Sequence, residues 1–164
     1  LSIQVPTLAV IEGWAVGGGL AIAAACDIRI ATPDARFGVP IARTLGNCLS
    51  SKNLARLVAA FGLSRVNKML LLSEMLEADE AKIAGFLSEI VSAERIGDRA
   101  DEIATILSNN APVTLRVTKQ ALARLAVEND PDDEDLIRQC YGSQDFRNGV
   151  KAFVEKKKPV WSGE

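Results

Sequence analysis

The stretch VGGGLAIAAACD, residues 16 to 27, sets three consecutive glycines directly before a run of small apolar residues. Glycine loses more backbone entropy on folding than any other residue, and it is kept where φ is unusual or where something must approach the main chain closely. Two readings of Gly17, Gly18 and Gly19 follow from the residues alone. In one, the glycines let a helix pack closely on a strand. In the other, they leave peptide N–H groups bare where a helix begins, with the positive end of its dipole behind them. Donors so placed hold an anion, or the partial charge that builds on a carbonyl oxygen as it becomes an enolate. Two phosphate motifs fail here. A P-loop from Gly13 requires lysine after Gly18, where Gly19 and Leu20 stand, and a dinucleotide fingerprint from Gly17 requires glycine or alanine at the position of Ile22.

The 164-residue chain has no histidine, which excludes a Ser-His-Asp triad, a Cys-His pair and any imidazole base from its own residues. Proton transfer falls to carboxylates, lysine, Tyr141, cysteine or water. Cys26, Cys48 and Cys140 are odd in number and widely spaced, so neither a metal site nor a disulfide framework is expected, and a reducing, cytoplasmic setting fits. With only Arg43 nearby to lower its pKa, Cys48 is expected to be a packed cysteine rather than a nucleophile. Arg43 suits either a substrate carboxylate or a surface aspartate. Asp27 and Asp34 suit caps or turns, and Glu12 has no assigned role. A formal charge of −2, with no basic run interleaved with aromatics, argues against nucleic acid as a partner. Residues 5 to 31 are apolar-rich but broken by Glu12, the glycines, Asp27 and Arg29, so no membrane partner and no signal peptide are expected.

The elements that must position these residues read as follows. Leu8 to Ile11 is a strand ending at Gly13, Leu20 to Cys26 a helix that is apolar all round and therefore buried, and residues 27–31 and 36–40 are strands about a turn at 32–35. From there the pattern is mostly helical. Ser50 or Ser51 caps a helix ending at Gly62, and Ser64 caps another over residues 65–76. A short helix over 77–85 stops at Gly85 and a strand covers 86–91. The next helix carries Ile96, Ile103, Ile106 and Leu107 on one side, and the one after it starts with Pro112. An acidic loop at 129–135 leads into further helix. The chain enters a buried-strand pattern at Leu1 with no leading turn or cap, as expected of a sequence that starts part-way through a longer polypeptide.

PTLAVIEGWAVGGGLAIAAACDIRIATPDARFGVP resembles the central segment of the crotonase superfamily, the enoyl-CoA hydratases and isomerases. That family's pattern runs as a strand, N-G-x-A-x-G-G-G, a helix ending C-D, a strand and x-F-G-x-P. EADEAKIAGFLSEIV, NNAPVTLRVTKQAL and DFRNGVKAFVEKKKPVW are similar to its later elements, so the resemblance covers essentially all of the chain and corresponds to the C-terminal part of a complete member. It implies an α/β fold, a crotonase spiral of ββα units over residues 1–92 followed by a helical trimerisation region over 93–164. It implies a coenzyme A thioester as substrate, no permanently bound cofactor, and a homotrimer or a dimer of trimers. The thioester oxygen would sit between two backbone N–H groups. Gly18, the middle glycine, matches one of them, with Gly17 beside it, and the other belongs to an upstream loop. Phe153 and Lys156 of AFVEK match residues that touch the adenine and phosphate end of a neighbouring subunit's CoA. By charge alone, Lys156 reads rather as a solvated member of the run Lys156, Lys157 and Lys158.

The departures from the family pattern bear on the reaction. Hydratases carry one glutamate three residues after the middle glycine and another just after F-G-x-P, and here those positions hold Ala21 and Ile41. Neither side chain exchanges protons, so standard hydration is not expected, and the common isomerases' acid is missing too. Asn47 falls near the nucleophilic carboxylate of a dehalogenating relative, but an amide is a poor nucleophile and a better hydrogen-bond donor. The resemblance thus implies an acyl-CoA-binding, enoyl-CoA hydratase/isomerase-like protein that stabilises a thioester enolate, with Arg43 and Asn47 as the remaining candidates for catalysis. The alternatives are a thioester hydrolase, a decarboxylase, or a non-catalytic acyl-CoA-binding subunit.

Overall fold

Leu8–Ile11 forms β1, Trp14–Val16 β2, Gly18–Ala25 α1, Ile28–Ala31 β3 and Arg36–Gly38 β4 in the computed structural model, which describes residues 3–44, 48–126 and 134–164. β1 pairs in parallel with β3, Leu8 opposite Ile28, while β2 pairs in parallel with β4 in a second sheet, Trp14 opposite Arg36. Each strand–strand–helix turn of the chain therefore adds one strand to each of two sheets. Parallel neighbours require such a crossover, since a tight hairpin cannot join them. The carboxylate of Asp27 accepts from Thr7 N at 2.6 Å and Thr7 Oγ1 at 2.7 Å, which ties the start of β3 to the start of β1 and gives Asp27 the turn-fixing role expected of it.

The helical run that follows comprises α2 (Ile41–Thr44), α3 (Ser51–Phe61), α4 (Leu63–Leu71) and α5 (Ala78–Ile83), with the short strands β5 (Leu76–Glu77) and β6 (Glu89–Ile90) completing the sheets in the orders β1-β3-β6 and β2-β4-β5. Leu20, Ile30, Phe37, Phe61, Met69 and Phe86 are fully buried among them. Phe61 stacks on Phe86 at 4.2 Å and Phe37 meets Phe86 edge-on at 5.4 Å, so rings from β4, α3 and the segment before β6 close one core. Each fully buried side chain of this kind contributes about 1.5–3 kcal/mol, which makes these rings the main hold on the sheets. α1, α2, α3, β1 to β5 and α5 all lie within one compact unit, Thr7–Glu102.

Several expectations are corrected. β2 and β5 were not expected, because three and two residues are too few to show a period; their pairing with β4 alone makes them strands. Ile22 is 68% exposed, so α1 buries Leu20 and Ala23 but is not covered all round. Ser50, not Ser51, caps α3, its Oγ accepting from Asn53 N at 3.4 Å. Ser64 caps nothing: Gly62, at φ 77°, ends α3 and starts α4 in one step. Residues 65–76 are not one helix, since α4 stops at Leu71, Ser73 turns to φ 55°, and Leu76 pairs with Phe37 across the sheet. The expected strands over 36–40 and 86–91 shorten to β4 and β6.

The other compact unit takes Ile103–Glu164 with the chain's first residues up to Pro6. α6 (Ile96–Ser108) buries Ile96 and Ile103, but Ile106 is 55% exposed, contrary to its expected place on the same side. α7 (Pro112–Leu125) has Pro112 in its first turn, as expected, and packs Val113 and Val117 against Leu136 of α8 (Glu134–Gly142). Arg124 grips Asp135 with two bonds of 2.6 and 2.7 Å, and this hydrogen bonding pulls the Asp135 carboxyl down to about 2. Glu134 and Asp135 stand in the first helical turn rather than in the expected acidic loop, of which residues 129–133 lie outside the described residues. After α9 (Gln144–Val154), the tail returns to the start of that helix. The buried Asp145 carboxylate accepts from Ser162 N at 2.6 Å and from Gly163 N at 3.1 Å, and the Trp161 indole donates to Asn109 O at 2.9 Å. No helix among the described residues is long and apolar enough to cross a membrane.

Candidate functional site

The glycine loop forms its own frame before any ligand is considered. Gly17 stands at φ 55° and ψ −112°, a conformation strained for side chains with a Cβ, and its N–H donates to Gly38 O at 3.0 Å. This bond fastens the loop to the end of β4. Gly38 is held in turn by close packing, because a Cβ there would overlap the sulfur of Met75. Sequence reasoning noted F-G-V-P only as a strand and a family motif. The glycine in it is the positioning residue, and its neighbour Phe37 is fully buried in the core.

Gly17 O then accepts from Ala21 N at 3.0 Å, closing the first turn of α1. The N–H groups of Gly18, Gly19 and Leu20 have no acceptor among the described residues, and the helix has neither a side-chain cap nor an acidic residue in its first turn. Orphan donors of this kind at a helix start are normally met by a cap, water or a ligand. Gly18 and Gly19 are exposed, and a Cβ built on either meets nothing within 4 Å. The fold therefore has no steric need for glycine at these two positions, although glycine in a helix is worth up to about 1 kcal/mol less than alanine. A group approaching from outside does have that need. Of the two readings of the triple glycine, close packing applies to neither Gly18 nor Gly19.

Beside this loop a narrow cavity of about 10 Å³, room for a single water, lies between α1 and α3. Gly17, Ala21 and Ala24 line it from the glycine loop and α1, Asn53, Arg56 and Leu57 from α3, together with Val39 and Leu49. Asn53, Arg56 and Leu57 share a helix face through their i, i+3 and i+4 spacing. No carboxylate, tyrosine or cysteine lines the cavity among the described residues. Ala21 is on its wall, whereas Ile41 is half-buried and packs against the core at the start of α2.

The remaining candidates are placed as follows. Arg43 is exposed in the last turn of α2, and Asn47 lies outside the described residues. Cys48 is exposed, which overturns the expected packed cysteine; its neighbour Leu49 is the residue that turns inward. Asp34 is exposed in the turn before β4, where its carbonyl accepts from Arg36, and Glu12 is exposed. Phe153 and Lys156 belong to the other compact unit, at the end of α9: the Phe153 ring is 86% exposed, and Lys156 is exposed at φ 53°. No cluster of three or more metal-binding side chains occurs among the described residues. Sequence reasoning missed Asn53 and Arg56, which the helical pattern allows equally on a solvated face.

Comparison with known proteins bears on this geometry. The family described as Enoyl-CoA hydratase/isomerase matches residues 1–164. The chain is 32% identical to the short-chain-enoyl-CoA hydratase of Clostridium acetobutylicum over 161 residues, covering 95% of this chain and 61% of that protein. It is 30% identical to the 2,3-dehydroadipyl-CoA hydratase of Escherichia coli, covering 96% of this chain and 63% of the relative. The crystal structure of an enoyl-CoA hydratase/carnithine racemase from Magnetospirillum magneticum superposes with a TM-score of 0.88 at 30% identity, covering 99% of this chain and 61% of that one. The chain thus spans about three fifths of the length of these relatives.

Proposed function

Since the chain belongs to the enoyl-CoA hydratase/isomerase family, we propose that it binds an acyl-CoA thioester with the carbonyl oxygen on the N–H of Gly18 and stabilises the derived enolate. The observation that carries this reading is the Gly18 N–H at the start of α1, free among the described residues and on a residue where a Cβ meets none of them within 4 Å. As the α-carbon of the thioester loses a proton, negative charge moves onto the oxygen, where the donor and the helix dipole oppose it. One such donor is typically worth about 3 kcal/mol in a transition state, or roughly 100-fold in rate. Gly17 shapes the approach rather than donating, because its own N–H is committed to Gly38 O.

Ala21 and Ile41 set the limits of the chemistry. A hydratase needs groups to activate water and protonate carbon, and neither position, nor any other side chain lining the cavity among the described residues, offers one. Crotonyl-CoA hydration by the native chain is therefore expected at no more than the buffer rate, and turnover at a rate ordinary for enzymes would remove this part of the reading. The same observation favours the second reading, a non-catalytic acyl-CoA-binding subunit or a family member of another reaction type such as a thioester hydrolase or decarboxylase. Calorimetric titration with butyryl-CoA, which lacks a double bond to hydrate, tests the binding step common to all of them. Gly18→Val is expected to abolish the heat of binding while leaving the melting temperature within a few degrees; undiminished binding rules the loop out.

The CoA end of the proposal rests on α9. The bare Phe153 ring offers a stacking face for adenine, and Lys156, among exposed lysines, a partner for phosphate. Leu122, Leu125, Ile137, Tyr141 and Val150 are exposed in the same unit, an apolar display suited to burial between subunits of a trimer. A monomer in sedimentation at micromolar concentration would take away the basis for both.

A further inference from the structure

The guanidinium groups of the Thr7–Glu102 unit fall into two sets. Arg36 pairs with Glu77, Arg65 with Glu80, Arg95 with Glu102, and Arg99 with Glu89 and Glu102, while Arg29 donates to the carbonyls of Phe86 and Cys26. Arg43 and Arg56 have no acceptor among the described residues. Of these two only Arg56 lines the cavity beside the glycine loop. Its wall is otherwise apolar apart from Asn53, one turn away on the same face, whose side-chain amide is likewise unbonded among the described residues. The planar guanidinium of an arginine suits a two-bond grip on a carboxylate.

We propose that Arg56, assisted by the Asn53 amide, reads a carboxylate at the far end of the acyl chain, so that the ligand is the mono-CoA thioester of a dicarboxylic acid. This rests on the acyl-CoA reading above. A thioester held at Gly18 N–H sends its acyl chain along the groove between α1 and α3, toward the wall that carries Asn53 and Arg56. In the present conformation the cavity takes a single water, so the chain enters only as the lining residues move apart. No described residue in the lining is acidic and thus a competitor of the ligand for the guanidinium.

The test is titration of the protein with matched thioesters: succinyl-CoA against butyryl-CoA, glutaryl-CoA against pentanoyl-CoA, and adipyl-CoA against hexanoyl-CoA. At one or more lengths the carboxylate-bearing member is expected to bind roughly 10- to 100-fold tighter, the range for hydrogen bonds to charged groups. Arg56→Met should bring that ratio to within about twofold of one, and Arg56→Lys should leave an intermediate ratio, because a point charge replaces the two-bond grip. Circular dichroism checks the fold of both variants, and Arg56→Lys carries the test if Arg56→Met unfolds. Equal affinities within all three pairs, or a preference that survives in the variants, overturn this inference and leave the acyl-CoA reading intact. If none of the six thioesters binds, that reading falls and the inference falls with it.

Discussion

At the start of α9 the chain fills its own donors. Ser143 Oγ accepts from Phe146 N at 3.0 Å, and Glu164 O accepts from Gln144 N at 2.6 Å and from Asp145 N at 3.1 Å. At the start of α1 the corresponding three N–H groups, on Gly18, Gly19 and Leu20, donate to nothing among the described residues, and the capping residue Gly17 has no side chain to offer. Both helices face the same electrostatics, since each leaves its first N–H groups outside the helical ladder and carries a positive end. The difference lies in what the sequence supplies around them: serine, an aspartate and a returning tail in one case, three glycines in the other. A capped end is arranged for stability. An end left open, with glycines that the packing does not need, is arranged for something outside the chain.

The comparison breaks most sharply at Gly18. Gly18→Val should abolish acyl-CoA binding, read as the heat of titration with butyryl-CoA, with little change in melting temperature, because a Cβ at Gly18 meets nothing within 4 Å among the described residues. A large loss of stability would mean that the loop serves packing after all. At the closed end the effect should be the reverse. Asp145→Ala removes a buried acceptor of two backbone N–H groups and the Ser162 hydroxyl, at a cost of about 2–3 kcal/mol, and should shift Trp161 emission to the red in a Trp14→Phe background as the tail loosens.

The same carboxyl sets a pH dependence. Burial pushes the Asp145 pKa up, but the bonds from Ser162 and Gly163 outweigh it and leave the group below its ordinary value. A folded pKa depressed in this way stabilises the tail above the unfolded value, near ~4. That stabilisation should fade as the pH falls below about 4 and through the lower folded value, with Trp161 emission tracking it. A transition centred near neutrality would contradict the assignment. Ser143→Ala, the loss of one cap, should cost about 1 kcal/mol in chemical denaturation. The smallest effect is expected at Gly19→Ala, a gain of about 0.5 kcal/mol from helix propensity, since its methyl group meets nothing of the chain.

The parts of the fold legible in the sequence were those with a local cause. β1 shows in a four-residue apolar run, β3 in the alternation of apolar and polar residues over 27–31, α3 in its serine cap and closing glycine, α7 in Pro112, and the open start of α1 in the glycines themselves. Other features have no local cause. β2 and β5 exist because β4 lies between them, and Ser64 loses its cap because Gly62 makes the turn first. Cys48 and Leu49 exchange the inward position expected of the cysteine, a choice made by the core and not by either residue alone. Arg56 reads from sequence as one more charge on an amphipathic helix, and only the packing of α3 on α1 turns it to the cavity.

By itself the sequence determined which backbone groups would be bare, because the absence of a Cβ, of histidine and of glutamates at positions 21 and 41 is a property of the residues and survives any folding. Tertiary structure decided which of those bare groups stay free. Gly17 N is taken by a carbonyl from β4 and Gly18 N is not, and that difference depends on where a later stretch of chain places β4. Hydrogen-bond partners and cavity walls are long-range facts of packing, and no local pattern of residue types encodes them.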